Sequence, residues 1–305
     1  MEERNVLQYF YITLKGLAMG AADVVPGVSG GTIAFISGIY EELIETINNI
    51  NFSLFKTLKE AGLKAMWKKL NGNFLAALFL GIAISVLSLA KGISWLLENK
   101  PILVWSFFFG LVLASIIIVA KSIEKWNIGA VLGLIIGSAV AYYITTLPPN
   151  ENMTSLPYLF LSGALAICAM ILPGISGAFI LVLLGSYKTI LDAVHEYDIK
   201  TIAIVGAGAI FGLLSFARIL KWMFNHQKNL TLAVLTGFII GSLAKIWPWK
   251  KVLETKTFGD KIITISEQNV SPFSFDGDNQ LITAVILALF GFSLIFILEK
   301  VASKK

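Results

Sequence analysis

The sequence predicts an all-α polytopic membrane protein built as an inverted-topology repeat, each half a re-entrant helical hairpin followed by three transmembrane helices. Three observations lead there: a composition that only lipid can solvate, six apolar runs of spanning length, and a Pro-Gly-x-Ser-Gly turn that occurs twice. Of 305 residues, 56% are hydrophobic and only 14% charged, with a mean hydropathy of +0.79. That is too little polar surface for a domain surrounded by water. Runs long enough to cross ~30 Å of hydrocarbon fall at about residues 74–97, 101–120, 128–147, 201–217, 230–246 and 280–298.

The first motif, Pro26-Gly-Val-Ser-Gly-Gly31, aligns with Pro173-Gly-Ile-Ser-Gly-Ala178 at an offset of 173 − 26 = 147, which also brings Gly38 onto Gly185 and Tyr40 onto Tyr187. Further along, Lys91 falls on Arg218 and Gly110 on Gly237, both at an offset of 127, so the second half is shorter by twenty loop residues. Ordered matches flanking equivalent spans predict an internal duplication. The first half, 1–147, holds a hairpin at about 9–47 and the spans 74–97, 101–120 and 128–147. An extracytoplasmic linker, 148–157, leads to the second half, 158–305, with a hairpin at about 158–192 and the spans 201–217, 230–246 and 280–298. Three crossings after a segment that enters and leaves on one face invert the second copy.

Charge sets the orientation. Basic residues gather in loop 49–73 (Lys56, Lys59, Lys64, Lys68, Lys69), loop 121–127 (Lys121, Lys125), loop 218–229 (Arg218, Lys221, Lys228) and the tail (Lys300, Lys304, Lys305). These four are expected on the cytoplasmic side, with both termini. The linker 148–157 and the segment 192–200 are expected outside, as is loop 247–279 despite its lysines. The formal charge of +5 therefore reports topology and gives no reason to expect nucleic-acid binding. No cleavable signal peptide is expected. The lone Cys168 excludes disulfides, and His195 and His226, read as isolated loop residues, make a metal site unexpected. Trp95, Trp105, Trp222, Trp247 and Trp249 lie near span ends and read as an interfacial belt. Gly206-x-Gly208-x-x-x-Gly212, Gly133/Gly137 and Gly237/Gly241 read as close helix packing.

The motif carries the chemistry. Pro26 and Pro173 break a helix, Gly27 and Gly174 permit a turn, and Ser29 and Ser176 are natural N-caps for the returning helix. Non-helical backbone at membrane depth must be buried in protein or face a wet cavity, so the two tips are expected to meet near the middle of the molecule. Ser29, Gly30, Gly31 and Thr32 on one side, with Ser176 and Gly177 on the other, offer hydroxyls and amide N–H groups suited to an oxyanion, phosphate above all. Lys91 and Arg218, equivalent under the repeat, are candidate phosphate partners, Arg218 through its bidentate fork. Asp23 has no acidic counterpart, since Met170 stands in its place. It either pairs with a basic residue or couples transport to protons or sodium ions. Glu41 is a second coupling or charge-pair candidate, while Glu42 and Glu45 read as interfacial. No serine–histidine–acid set or carboxylate pair points to catalysis, and no cofactor is expected.

The run Gly20-Ala-Ala-Asp-Val-Val-Pro-Gly-Val-Ser-Gly-Gly-Thr-Ile-Ala-Phe-Ile-Ser-Gly-Ile-Tyr40-Glu41, with Leu172-Pro-Gly-Ile-Ser-Gly177, resembles the polyprenyl-phosphate transporter family of bacteria and archaea, formerly a membrane domain of unknown function. The resemblance covers nearly the whole chain. It implies a flippase of the cytoplasmic membrane that returns undecaprenyl phosphate from the outer to the inner leaflet for reuse as a carrier lipid. It also implies that Asp23, Pro26, Gly27, Ser29, Gly30, Gly31, Thr32, Pro173, Gly174, Ser176 and Gly177 serve the substrate. An ion-coupled small-anion transporter or a lipid-phosphate enzyme would be the alternatives, and a homo-oligomer stays open.

Overall fold

The computed structural model describes residues 4–25, 28–150, 154–258 and 261–302, and those residues are mostly helical. The first half runs α1 (Val6–Val24), α2 (Gly30–Ile36), α3 (Tyr40–Asn48), α4 (Phe52–Leu70), α5 (Gly72–Ser88), α6 (Ala90–Asn99), α7 (Pro101–Lys121) and α8 (Ile128–Thr146). The second runs α9 (Leu156–Ile171), α10 (Gly177–Leu183), α11 (Tyr187–His195), α12 (Ile199–His226), α13 (Lys228–Ser242), a 3-10 turn at Leu243–Ile246, β1 (Lys250–Phe258), β2 (Lys261–Asn269) and α14 (Leu281–Ala302).

Among the described residues, four stretches are long and apolar enough to cross a membrane: Pro101–Lys121, Ile128–Thr146, Ile199–His226 and Lys228–Ile246. The count reaches six if each of two bent pairs is one span. Helices α8 and α12 keep most of their apolar surface uncovered by protein, an arrangement that lipid satisfies and water does not. The described residues differ from the expected spans in three ways. The run 74–97 is broken at Leu89 into α5 and α6, and α5 forms a bent pair with α4 at 51°. Loop 49–73 is helical as α4, interrupted at Gly62 by a non-helical φ of 78°. Loop 218–229 is also helical: α12 continues to His226 and α13 starts at Lys228, so Arg218, Lys221 and the stacked Trp222–His226 pair ride on a helix. His195 likewise closes α11.

The chain is not purely helical. Within 247–279, β1 and β2 pair antiparallel, Lys250 opposite Asn269. Trp247 and Trp249 hold this hairpin through their indole groups. The Trp247 indole N–H donates to Val270 O at 2.9 Å and the Trp249 N–H to Asn279 O at 2.8 Å. Trp249 is buried in a small apolar cluster with Ile102 and Ala284.

Element bounds recur at the offsets of the motif. Adding 147 to α2 and α3 gives the bounds of α10 and α11. Adding 127 to the start of α5 and the end of α6 gives Ile199 and His226, the ends of α12. Helices α2 and α10 stop alike, at Gly38 (φ 74°) and Gly185 (φ 67°). The amides of Gly38 and Ile39 return to Phe35 O and Ala34 O, as those of Gly185 and Ser186 return to Val182 O and Leu181 O, a Schellman stop needing positive φ. Beyond Gly185 the path turns by 109° into α11. Beyond Gly38, the Tyr40 ring packs edge-on against Phe35 and Phe224.

Glycine contacts give the directions of the helices. Gly16 lies on Leu78 and Gly20 on Ile82, so α1 and α5 run parallel; Gly208 on Phe160 and Gly212 on Ala164 make α9 and α12 parallel in the same way. The segments between them therefore carry the chain back to the level where α1 and α9 began. Helices α8 and α13 also pack in parallel, through Gly133 and Gly137 on one and Gly237 and Gly241 on the other. Backbones approach this closely only where no Cβ intervenes. Gly206, read with the packing glycines, instead faces open space.

Candidate functional site

The site grows from the end of α1. Asp23 lies in its last turn and accepts a hydrogen bond from the Gly30 N–H at 2.6 Å. Ser29 is the N-cap of α2, its Oγ accepting from the Gly31 N–H at 3.0 Å. The same hydroxyl donates to Met170 O, 2.9 Å away at the end of α9. Thr32 completes the contact, its Oγ1 accepting from the Gly174 N–H at 2.9 Å. Ser29 and Thr32 are each 1% exposed. The two motif regions, 147 residues apart in sequence, are thus joined by two hydrogen bonds, that of Thr32 buried and that of Ser29 part-buried. A Cβ on Gly31 would sit 2.5 Å from Ile171 O and 2.8 Å from Met170 O, which explains why the first copy needs its doubled glycine.

On the opposing side Gly174 adopts φ 91°, and the place of its missing Cβ is filled by Ser242 Oγ and Phe238 O from α13. Only glycine satisfies both the dihedral and the contact. Gly177 packs on Ala166 O. Ser176 stands at the N-cap of α10 but, unlike Ser29, makes no side-chain cap bond. Pro26 and Gly27 lie outside the described residues. The sequence suggests unpaired N–H groups behind Ser29; in this conformation the Gly30 amide is taken by Asp23 and the Gly31 amide by Ser29. Asp23 plays a part that neither sequence alternative foresaw, capping the Gly30 amide.

The other candidates are dispersed. Glu41 pairs with Lys228 at 3.1 Å and Glu45 with Lys221 at 3.7 Å. Glu42 takes both guanidinium nitrogens of Arg4, at 2.6 and 2.7 Å. Asn48 Nδ2 donates to Ala217 O at 2.8 Å, which places Arg218 beside the end of α3. Arg218 and Lys91 are exposed and make no hydrogen bond or ion pair among the described residues.

Two further lysines contact the short helices that carry the motif serines, α2 and α10. Lys15 of α1 donates to Ser37 O at 2.7 Å, at the C-cap of α2, where a cation meets unpaired carbonyls. Lys245 follows Ser242, the residue packed against Gly174. Its ammonium lies 4.8 Å from the Phe179 ring centroid in α10 and 2.9 Å from Glu267 Oε1. Lys250 Nζ reaches that same oxygen at 2.8 Å. Burial pushes the Glu267 carboxyl up, but the two ammonium groups outweigh it and hold it below the usual carboxylate range. Burial lowers Lys250. The repeat could not have flagged Lys245, because 245 − 127 = 118 is Ile118. Among the described residues no group of three His, Cys, Asp or Glu side chains could hold a metal ion.

Comparison with known proteins gives a consistent picture. A polyprenyl-phosphate transporter of Vibrio cholerae is 47% identical over 306 residues, covering 98% of this chain and 99% of that one. A polyprenyl-phosphate transporter of Staphylococcus aureus is 32% identical over 253 residues, covering 77% of this chain and 85% of the relative. No solved structure matches. The profile of the undecaprenyl phosphate translocase-like proteins matches residues 19–262, the stretch from the end of α1 through both motifs and into β2. The chain belongs to the undecaprenyl phosphate translocase-like family.

Proposed function

We propose that this protein is a transporter that moves polyprenyl phosphate from the outer to the inner leaflet of the cytoplasmic membrane, by alternating access around the two motif tips. One observation carries the reading: the tips of the two copies meet in a hydrogen-bonded contact, Ser29 to Met170 O and Gly174 N–H to Thr32. A contact between equivalent tips is the kind of element that can part toward either side in turn. The parallel packing of α1 on α5 and of α9 on α12 supports re-entrant hairpins, and the recurring element bounds support two inverted repeats. The names of the relatives supply the substrate class and favour transport over catalysis.

In this reading the phosphate replaces the Asp23 carboxylate at the Gly30 amide and takes the hydroxyls and amides of Ser29, Gly31, Thr32, Ser176 and Gly177, while Pro26, Gly27, Pro173 and Gly174 shape the turns. Protonation or sodium binding at Asp23 couples the exchange to an ion gradient. Lys91 and Arg218 attract the head group at opposite membrane faces. The test is translocation in proteoliposomes, with labelled polyprenyl phosphate and inorganic phosphate offered in parallel. Movement of the lipid alone supports the proposal. Movement of inorganic phosphate at an equal rate makes the protein a small-anion transporter and defeats it. Arg218→Ala is expected to lose lipid movement while remaining folded; normal movement removes Arg218 from the head-group path.

A further inference from the structure

Loop 247–279 has no counterpart in the first half, yet its β-hairpin brings a charge cluster to the second tip. Two ammonium groups in one place repel each other and need an anion. Here they share one oxygen: Lys245 Nζ and Lys250 Nζ lie 2.9 and 2.8 Å from Glu267 Oε1. Lys250 also donates to Lys245 O at 2.6 Å, and its side chain is 9% exposed, against 22% for Lys245 and 21% for Glu267. Two cations against one carboxylate leave the cluster with a surplus positive charge. A phosphomonoester, with about −1.5 to −2 charges and three free oxygens, matches two ammonium groups better than one carboxylate does.

The surroundings are those that a lipid phosphate requires. The Lys245 ammonium lies over Phe179, in the first turn of α10 directly after the tip residues Ser176 and Gly177. The Lys250 ammonium lies 4.4 Å from the Trp105 ring centroid, and Trp247 packs edge-on against Phe109. Cationic and aromatic surface are therefore continuous, the first for a phosphate and the second for the hydrocarbon next to it. Ser242, on the turn leading into Lys245, fills the space beside Gly174, so a head group held here stands next to the tip.

We propose that Lys245 and Lys250 form a capture subsite for the phosphate head group of a polyprenyl phosphate, on the membrane face that carries 247–279, and that Glu267 occupies it until the lipid arrives. The inference rests on the transport reading above. An incoming phosphate displaces the Glu267 carboxylate from both ammonium groups and is then passed to Ser176 and Gly177.

The test is binding of farnesyl monophosphate to the purified full-length protein in detergent, followed by tryptophan fluorescence, with farnesol and inorganic phosphate as the comparison ligands. Lys245→Ala should weaken farnesyl monophosphate binding by about tenfold or more, the loss of one charge-assisted hydrogen bond, while Lys245→Arg stays near wild type. Glu267→Gln keeps the shape of the site and should tighten binding, since it removes the internal competitor. If the cluster only clamps the hairpin, Glu267→Gln leaves binding unchanged or weaker and Lys245→Ala leaves it unchanged, and the inference falls while the transport reading stands. If wild type binds no farnesyl monophosphate, the transport reading falls with it. If inorganic phosphate binds as tightly as farnesyl monophosphate, the assignment to a lipid is overturned.

Discussion

Replacing Thr32 by valine exchanges one hydroxyl for a methyl group in the contact between the two tips and keeps its shape. Thr32 Oγ1 is the acceptor for the Gly174 N–H at 2.9 Å, and Thr32 is 1% exposed, so the bond is shielded from bulk water. An amide left unsatisfied in such a setting costs about 1–3 kcal/mol. Gly174 cannot turn away to find another acceptor, because its φ of 91° is fixed and Ser242 and Phe238 fill the space beside it. The closed contact should therefore open about 5- to 150-fold more often, since each 1.36 kcal/mol is a factor of ten. Hydrogen exchange read by mass spectrometry on a peptide spanning Gly174 measures this directly, because exchange there follows local opening. Thr32→Ser keeps the acceptor and should exchange like wild type. Transport of polyprenyl phosphate by Thr32→Val should shift with the exchange rate. Unchanged exchange at Gly174 in Thr32→Val would refute the claim that this hydrogen bond holds the tips together, and unchanged transport alongside faster exchange would refute its part in gating.

Three further outcomes follow from the same geometry. Gly31→Ala drives a Cβ to within 2.5 Å of Ile171 O and 2.8 Å of Met170 O; both are backbone atoms, so the tips must separate, and a cysteine pair placed across them should cross-link less readily than in the parent. Gly38→Ala meets no atom within 4 Å, and its cost is the left-handed dihedral alone, about 1–2 kcal/mol, seen as a lower melting temperature in detergent with the tip contact intact. The Glu267 carboxyl is held below its ordinary value of 4.5, so its contribution to hairpin stability is complete above that value and lost as the pH falls through the lower, folded one. An acid titration of tryptophan fluorescence from Trp247 and Trp249 should show that transition, and Glu267→Gln should abolish it.

The pattern of apolar runs was legible because spanning a bilayer imposes a length and a composition, as α7, α8 and α13 illustrate. The breaks within runs were less so. Leu89 interrupts α5 and α6 without a proline or glycine, and its repeat counterpart lies inside the unbroken α12, so local propensity does not decide it. Helix α4 and the continuation of α12 through Arg218 were hidden by charge, because lysines that report orientation also form good helices. The β-hairpin was hidden because the repeat is silent where one copy has an insertion.

The sequence alone determined that the chain is a membrane protein and that it carries the same Pro-Gly-x-Ser-Gly run twice, because these are matters of solvation and of local order within a few residues. Only the tertiary structure decided that the two motif regions touch, that Asp23 caps the Gly30 amide, that Arg218 lies beside α3, and that Lys245 lies over Phe179 of α10. Those are relations between residues far apart in the chain, fixed by how closely glycine-lined helices can approach. The spacing of a motif along a sequence carries no measure of that distance.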